Sequence, residues 1–423
     1  MTTPASSVLL VSLHRTPCVR RAGVGNPMLE PMEEHRRDFR LLLVSALATA
    51  SGYGLLLPVV PLWAQAGGAA PAGIGATNAA FLLATVVAQF GTPAVLRLLG
   101  HRETLALGSL LFGLPVFAYA PTSWLPALIT VGVVRGIGFA LVVVTGSALV
   151  AHLLPAHRRG RGLGQFGLAI GLPNVIWLPA GPWLTEQVSF PVVFAVGGAL
   201  PLVGAAITLA MRIRTRTPRA RRAPRTSNAV ASVRPAELAA PFLVVLAGAL
   251  ASSAYVTFLP AAVDRTVAVT VGLLGYGVGI VVGRWLAGVF TDSHRRPVLL
   301  GPGVAVSGLG MLTLAAVTVT DSAALAVVAV AVGGLAFGGG YGAVQNTTLS
   351  AMFARVEPAG FDKASTVWNM AVDAGTGAGS MLLGLLAGAA GYPWTFAATA
   401  AMLAVTWPLA FAINRRERNR GAA

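Results

Sequence analysis

The sequence predicts an all-α membrane protein with twelve transmembrane helices in two six-helix bundles related by pseudo-two-fold symmetry. Three observations support this fold class. The chain of 423 residues is 55% hydrophobic and only 10% charged, a composition unlike that of soluble domains. Apolar runs of about 20 residues recur along it, each long enough to cross a bilayer core of about 30 Å. A basic stretch interrupts these runs near the middle of the chain and divides them into two sets.

The basic stretch has the sequence RIRTRTPRARRAPRTSNAVASVRPAE and runs from Arg212 to Glu237. A charged, proline-rich segment of this kind cannot build a packed core and predicts a solvated linker. We also expect a disordered cytoplasmic tail at 1–39, with Met28 and Met32 as alternative translation starts. The expected bundles and their flanking segments are 40–211 (first bundle), 212–238 (linker), 239–413 (second bundle) and 414–423 (C-terminal tail).

Hydropathy places one helix on each apolar run. The twelve predicted helices are 40–63, 74–96, 104–121, 124–151, 162–184, 190–211, 239–260, 267–291, 297–318, 323–353, 363–387 and 392–413. All but three of the 30 Lys and Arg residues fall in the tails, the linker or the loops on one side; the exceptions are Arg135, Arg265 and Arg284. Because cytoplasmic loops carry the excess of basic residues, we predict a multi-pass protein of the cytoplasmic membrane with both termini in the cytoplasm.

Other classes of protein are disfavoured by the same residues. The formal net charge is +16, but the basic residues lie between apolar runs rather than in a stripe with aromatics, which argues against nucleic-acid binding. The single cysteine, Cys18, and six histidines outside or at the edge of the apolar runs argue against a disulfide framework or a metal site. No GxxxxGK[ST], HExxH or GxSxG motif is found. We therefore expect no cofactor and no enzymatic activity.

The two halves of the chain resemble each other. The first predicted helix contains ALATASGYGLLLP and the seventh contains ALASSAYVTFLP, each with a tyrosine five residues before a proline. The pairs are Tyr53 with Pro58 and Tyr255 with Pro260, an offset of 202 residues. The offset fits duplication of a six-helix unit, as in transporters with parallel repeats; chance similarity between Ala-rich helices is the alternative.

Four segments together resemble the major facilitator superfamily. GRWLAGVFTDSHRRPVL is similar to its loop motif of a glycine, an aspartate four residues later and a basic cluster; the matching residues are Gly288, Asp292, Arg295 and Arg296. The resemblance implies that these residues, with Arg284, form a cytoplasmic gate. The first-half counterpart GTPAVLRLLGHRETL has Arg97 where the acid is expected.

Three further segments extend the resemblance. VVRGIGFA in helix 4 resembles the family's Arg-plus-glycine motif, although its arginine, Arg135, directly precedes the glycine. GLAIGLPNVIWLPAGPWL in helix 5 is similar to the Gly/Pro motif of the exporter branches, with Pro179, Gly181 and Pro182 at its core. RVEPAGFDKASTVWNMAVDAGTGAGSMLLG, leading through helix 11, is also similar to the family. The resemblance implies a transporter of the drug or metabolite efflux type.

Asp373 is the one acid of fourteen inside a predicted span. It lies ten residues, or about 15 Å, into helix 11 from Lys363. A charged group there costs about 2.5–3.5 kcal/mol, so it should face the bundle interior and have a partner. We predict a proton-coupling or substrate-binding carboxylate; the alternative is a structural acid hydrogen-bonded to Asn369, one turn earlier.

Arg135 is similarly deep in helix 4 and stays charged there. It could pair with Asp373, or line the cavity and bind an anionic group. The other predicted cavity residues are Tyr53, Tyr255, Gln345, Asn346 and Asn369. Each could instead make a helix-to-helix hydrogen bond. Few polar groups at this depth predict a mostly apolar cavity.

Glycines recur every fourth residue in three helices, which predicts close helix packing. They are Gly275, Gly279 and Gly283 in helix 8, Gly334, Gly338 and Gly342 in helix 10, and Gly375 and Gly379 in helix 11. Taken together, the residues predict a monomeric secondary transporter that exports a small hydrophobic or amphipathic molecule, such as a drug or secondary metabolite, in exchange for protons. An importer (proton symporter or uniporter) of a small metabolite and a non-transporting membrane receptor are the alternatives.

Overall fold

The computed structural model describes residues 30–213, 235–294, 299–318, 322–356 and 361–420, and within these ranges the chain forms twelve helical segments and no strand. The helices are α1 (Glu30–Ala66), α2 (Pro71–Leu99), α3 (His101–Gly113, continued by a 3₁₀ turn, Leu114–Tyr119), α4 (Leu125–Leu153), α5 (Ala156–Gln187), α6 (Phe190–Leu209), α7 (Pro235–Ser253, continued by a π turn, Ala254–Phe258, and a last turn, Leu259–Ala262), α8 (Thr266–His294), α9 (Leu300–Val317), α10 (Ala323–Phe353), α11 (Phe361–Ala390) and α12 (Tyr392–Arg420).

Among the described residues, ten of these helices are long and apolar enough to cross a membrane. The other two are α3, which has 13 residues before its 3₁₀ turn, and α5, which contains three prolines. The predicted all-α membrane fold is therefore confirmed. Both ends of the described chain lie on one side of the bundle, because the number of helices is even. We call this the termini side.

Helix contacts divide the chain into two bundles. Within α1–α6, helix α1 packs on α5 and α6, α2 packs on α4, and α3 packs on α4 and α6. Within α7–α12 the corresponding pairs are α7 with α11 and α12, α8 with α10, and α9 with α10 and α12. The bundles meet along two helix pairs, α2–α11 and α5–α8. When each helix is replaced by its counterpart in the other bundle, the first pair becomes the second. This pattern is consistent with the predicted pseudo-two-fold symmetry.

The predicted glycine packing is found between α8 and α10. A Cβ atom on Gly275 would lie 2.8 Å from the carbonyl oxygen of Ala331, and one on Gly279 would lie 2.6 Å from that of Leu335. Carbonyl oxygens of one helix thus touch the backbone of the other, which only a residue without a Cβ permits.

The first helix begins ten residues earlier than predicted, at Glu30, and its first turns are polar. Asp38, expected in the tail, is buried on α1 and accepts hydrogen bonds from the backbone N–H groups of Arg212 (3.3 Å) and Ile213 (3.0 Å). The start of the predicted linker is thereby tied to α1. Residues 235–238, predicted as the end of the linker, form the start of α7, and residues 1–29 and 214–234 lie outside the described residues.

The two repeated Tyr-to-Pro segments differ in backbone geometry. Pro58 lies inside the continuous helix α1, whereas Pro260 follows the π turn of α7. A proline lacks an N–H and its ring clashes with the carbonyl four residues earlier. The wider π turn accommodates Pro260 in α7.

Candidate transport site

Helix α11 lies between the two bundles, with one face on α7 and another on α2. A Cβ atom on Gly375 would lie 2.5 Å from the carbonyl oxygen of Leu246 in α7, and one on Gly377 would lie 3.0 Å from Cβ of Leu82 in α2. Asp373 comes just before these glycines. Its Oδ2 accepts a hydrogen bond of 2.8 Å from Nε2 of Gln89 in α2.

This bond joins the second bundle to the first near mid-depth. Asp373 lies twelve residues, or about 18 Å, from the start of α11 at Phe361. Gln89 is buried and Asp373 is partly buried. Asp373 therefore has a polar partner at depth, as predicted, although the partner is on a different helix.

Two tyrosines from other helices interact with the carboxylate. Tyr53 in α1 and Tyr341 in α10 both interact electrostatically with Asp373. Tyr53 also interacts with Tyr341 across the two bundles. Four helices, two from each bundle, thus bring polar groups together at one level. We call Asp373, Gln89, Tyr53 and Tyr341 the central polar cluster.

Arg135 interacts electrostatically with Tyr53 of this cluster, but its guanidinium is enclosed elsewhere in the first bundle. It is 4% exposed inside the first bundle, with its guanidinium carbon 4.9 Å from the Phe112 ring centroid, 5.2 Å from that of Phe81 and 5.7 Å from that of Tyr119. Nη1 donates to the hydroxyl of Tyr119 at 3.4 Å, and the buried Nε has no hydrogen-bond partner among the described residues. Cation–π contacts of this kind stabilise a desolvated guanidinium by about 2 kcal/mol.

Both partners considered for Asp373 in the sequence are therefore wrong. Arg135 and Asp373 form no ion pair, because the guanidinium is enclosed by aromatic rings of its own bundle. Asn369 donates to the carbonyl oxygen of Ser365 within α11, at 2.9 Å, rather than to Asp373. Gln89 was missed because it is 284 residues away and has no sequence pattern that relates it to Asp373.

Tyr255 also lies elsewhere than predicted. Its side chain is fully buried inside the second bundle, stacked on Phe337 at 5.6 Å and Tyr276 at 5.4 Å. Its hydroxyl donates to the carbonyl oxygen of Val330 at 2.9 Å. Tyr255 is thus a packing residue within the bundle and not part of a cavity wall.

The repeat-related Tyr53 is partly buried and its ring stacks on Phe139 at 4.9 Å. Gln345 is buried and hydrogen-bonds to the side chain of Tyr341, so it orients a member of the central polar cluster. Asn346 is partly buried and accepts from the hydroxyl of Ser350 at 3.5 Å on its own helix.

The structure describes the surroundings of only some of the predicted gate residues. A Cβ atom on Gly288 would lie 3.7 Å from Nδ2 of Asn346, on the packed α8–α10 face. Asp292 is in the last turns of α8, but its side chain, like Arg295 and Arg296 as a whole, lies outside the described residues.

The assignment of Arg284 to the gate stays a prediction, because the side chains of the other charged gate residues lie outside the described residues. Arg284 precedes the end of α8 at His294 by ten residues, or about 15 Å. It is partly buried and interacts electrostatically with Tyr341. Arg284 therefore lies at the level of the central polar cluster.

The helix 5 motif forms part of the packing within the first bundle. Pro179, Gly181 and Pro182 are buried, and a Cβ atom on Gly181 would lie 2.7 Å from the carbonyl oxygen of Leu55 and 3.4 Å from Cγ of Pro58. The motif therefore fits α5 closely against the proline-containing part of α1.

The contact between the bundles changes along its depth. On the side opposite the termini, Gln65 donates to the carbonyl oxygen of Ala261 (3.2 Å) and Asn78 donates to the hydroxyl of Thr257 (3.0 Å). These bonds close the far ends of α1 and α2 against α7.

The α5–α8 contact opens toward the termini side. Val175 of α5 has its Cα 3.0 Å from where a Cβ on Gly277 of α8 would lie. Gly171 and Gly167 lie on the same face of α5, one and two turns nearer the termini side. A Cβ atom on either glycine would have no neighbouring atom within 4 Å. The close α5–α8 contact at Val175 is therefore not continued at Gly171 and Gly167.

Comparison with known proteins identifies the family. The sequence model of the Major Facilitator Superfamily matches residues 42–361. The chain belongs to this superfamily. It is 25% identical over 177 residues to an uncharacterized MFS-type transporter of Methanocaldococcus jannaschii, covering 42% of this chain and 46% of the relative. It is 26% identical over 153 residues to the quinolone resistance protein NorA of Staphylococcus aureus, covering 36% and 39%.

The matches thus span less than half of the length of these curated relatives. Solved structures show the same fold over most of the chain. A bacterial homologue of the human lysosomal transporter Spinster, inward-facing and unoccupied, has a TM-score of 0.70 at 15% identity and covers 90% of this chain and 97% of its own. The nucleoside transporter NupG has a TM-score of 0.67 at 15% identity, covering 89% and 98%. The chain is a multi-pass membrane protein of a transporter family.

Proposed function

We propose that this major facilitator superfamily protein exports a small amphipathic molecule in exchange for protons, by alternating access across the cytoplasmic membrane. The observation that carries the proposal is the hydrogen bond from Gln89 to Asp373. It places a titratable group on the contact between two bundles that must move relative to each other during transport.

The charge of Asp373 controls the strength of this bond. A hydrogen bond to a charged group is worth about 1.5–3 kcal/mol, against about 1 kcal/mol for a neutral pair. Neutralising the carboxylate, by a proton or by a cationic group of the substrate, weakens the link between α2 and α11. Because both ligands use one carboxylate, they exclude each other, and mutual exclusion is what an exchanger requires.

The surroundings of the cluster support an amphipathic substrate. Tyr53, which is partly buried and interacts electrostatically with Asp373, stacks on Phe139, so aromatic rings adjoin the central polar cluster on the side of the first bundle. A sugar would require many more hydrogen-bond partners than these rings provide. The similarity to NorA, named for quinolone resistance, supports export of a drug-like molecule.

The basic loops support a cytoplasmic termini side. With that orientation, the closed contacts at Gln65 and Asn78 are extracellular, and the open α5 face at Gly171 is cytoplasmic. The arrangement corresponds to an inward-facing state, in which Asp373 can exchange a proton or substrate with the cytoplasm.

A proton-flux assay in everted membrane vesicles tests the proposal. Energised vesicles containing the wild-type protein should lose part of their pH gradient when a transported amphipathic compound is added. Asp373→Asn should abolish this response, since an amide cannot carry the proton. Asp264→Asn, which changes an exposed acid in the α7–α8 loop, is the matched control and should respond like the wild type.

An equal response in wild type and Asp373→Asn would remove Asp373 from the coupling. A response that appears only in right-side-out vesicles, with the compound moving inward, would replace export by import. No response to any compound from folded protein would overturn proton-coupled export.

A further inference from the structure

A second charged group lies at the depth of Asp373, and it bears on the class of substrate. Arg284 is about 15 Å from the termini-side end of α8, and Tyr341 and Asp373 are each about 18 Å from the corresponding ends of α10 and α11. The three residues therefore occupy one layer of the second bundle. This inference rests on the proposed function and names the substrate of the same site.

Tyr341 connects the two charges. Its side chain interacts electrostatically with both Arg284 and Asp373. Helices α8 and α10 touch at this level, since the backbone nitrogen of Arg284 lies 3.0 Å from where a Cβ on Gly342 would be. A cation and an anion thus both interact with Tyr341, and Tyr53 of the first bundle interacts with the same carboxylate.

The charge on Arg284 is not neutralised by a described carboxylate, because none of those with described side chains forms an ion pair with it. An arginine at this depth costs about 2.5–3.5 kcal/mol on insertion and must face protein or a water-filled cavity. Arg135 meets this requirement with an aromatic cage that encloses it almost completely. Arg284 is partly buried and has no comparable aromatic cage among the described residues, so its charge is left for a ligand to compensate.

We propose that the transported molecule is amphoteric, with a cationic amine that binds Asp373, an anionic group such as a carboxylate that binds Arg284, and an aromatic part that packs against Tyr53. A guanidinium binds a carboxylate through two parallel hydrogen bonds, which makes this end of the site selective for planar anions. A molecule with both charges compensates both buried residues together. A molecule with one charge leaves the other residue unpaired.

Three compounds that share one fluorophore test this proposal by direct binding. Nε-dansyl-lysine carries an amine and a carboxylate, dansylcadaverine is the same molecule without the carboxylate, and 6-(dansylamino)hexanoic acid is the same molecule without the amine. Their fluorescence anisotropy with detergent-purified full-length protein should show the zwitterion binding about tenfold more tightly than either single-charge compound.

Two substitutions assign each charge to its residue. Arg284→Gln should remove the advantage of the zwitterion over dansylcadaverine and leave binding of dansylcadaverine unchanged. Asp373→Asn should remove its advantage over the hexanoic acid and leave binding of that acid unchanged. Arg97→Gln, at an exposed arginine near the end of α2, is the control and should change neither ratio.

The comparison of the three compounds on the wild-type protein needs no variant, so it tests the proposal even if Arg284→Gln fails to fold. In that case Arg284→Lys, which retains the positive charge, is the second variant. Equal affinities for dansylcadaverine and the zwitterion would overturn the proposal, as would no binding of any of the three up to their solubility limits. Binding is measured without a pH gradient. Failure here with a normal proton-flux response would therefore leave proton-coupled export intact, and the reverse result would overturn export alone.

Discussion

Helices α4 and α10 occupy equivalent places in the two bundles but carry different chemistry. The segment RGIGF at 135–139 of α4 aligns with FGGGY at 337–341 of α10 at the offset of 202 residues. In both helices the second residue is a glycine pressed against a backbone carbonyl: Gly136 meets that of Phe81 in α2, and Gly338 meets that of Tyr276 in α8. The backbone contacts are therefore shared by both bundles.

The side chains that flank these glycines differ between the two bundles. Arg135 stands where α10 has Phe337, and Phe139 stands where α10 has Tyr341. The first bundle thereby encloses a fixed cation, whereas the second contains a neutral stack in which Tyr255, Tyr276 and Tyr341 lie against Phe337. The comparison indicates that glycine contacts specify the common fold, while the flanking positions give α4 a buried cation and α10 a hydroxyl of the central polar cluster.

Exchanging the charge between the bundles should have the largest effect. Phe337 is fully buried. The two hydroxyls near it already make hydrogen bonds, that of Tyr255 to the carbonyl oxygen of Val330 and that of Tyr276 with the hydroxyl of Ser252. Phe337→Arg should therefore destabilise the protein by about 2.5–3.5 kcal/mol, the cost of an unpartnered charge at this depth. The measurement is the fraction of detergent-purified protein that stays monodisperse after heating.

The reciprocal variant, Arg135→Phe, is the control and should lose much less stability, because it removes a charge rather than burying one. If Phe337→Arg were as stable as the wild type, the second bundle could hold a cation equally well and the distinction between the two stacks would not hold.

A matched pair of glycines should show a smaller effect. Gly132 and Gly334 are related by the same offset, but their space differs. A Cβ on Gly334 would lie 2.5 Å from the hydroxyl of Tyr255, whereas one on Gly132 would lie 3.4 Å from the carbonyl oxygen of Thr77. Gly334→Ala should cost about 1–3 kcal/mol through overpacking. Gly132→Ala should be neutral or stabilising by up to about 1 kcal/mol, since alanine favours helix.

Thermal stability of the two purified variants, measured side by side, checks this pair. Equal losses in both would show that α2–α4 packs as tightly as α8–α10 and would remove this difference between the bundles.

The smallest effect is expected at the hydroxyl that contacts Arg135. Tyr119→Phe removes the acceptor of its 3.4 Å hydrogen bond but keeps the aromatic ring of the cage. The loss should be about 1 kcal/mol. Tyr392→Phe, at a partly buried tyrosine at the start of α12, serves as the control in the same heating assay. A loss as large as that of Phe337→Arg would mean that the hydroxyl, and not the rings, holds the cation in place.

The sequence by itself determined the class of fold and the number of helices. A bilayer core accepts a chain of this composition only if each segment satisfies its own backbone hydrogen bonds, so apolar runs of sufficient length must be helices. The glycine repeat between α8 and α10 was also visible, because spacing of four places residues on one helix face. Asp373 stood out for a similarly general reason, since a carboxylate within an apolar run is costly and must have a partner.

The tertiary structure alone decided which residues meet. Helices that are apolar on all sides give little indication of which face points to lipid and which to the bundle interior. For this reason the sequence predicts Arg135 and Tyr255 in the cavity, whereas both are buried within their own bundles. The partner of Asp373 depends on how two bundles dock, and Gln89 is separated from it by 284 residues. Composition and spacing act within one helix, whereas the position of a charge relative to a cavity is set by the rotation of that helix against its neighbours.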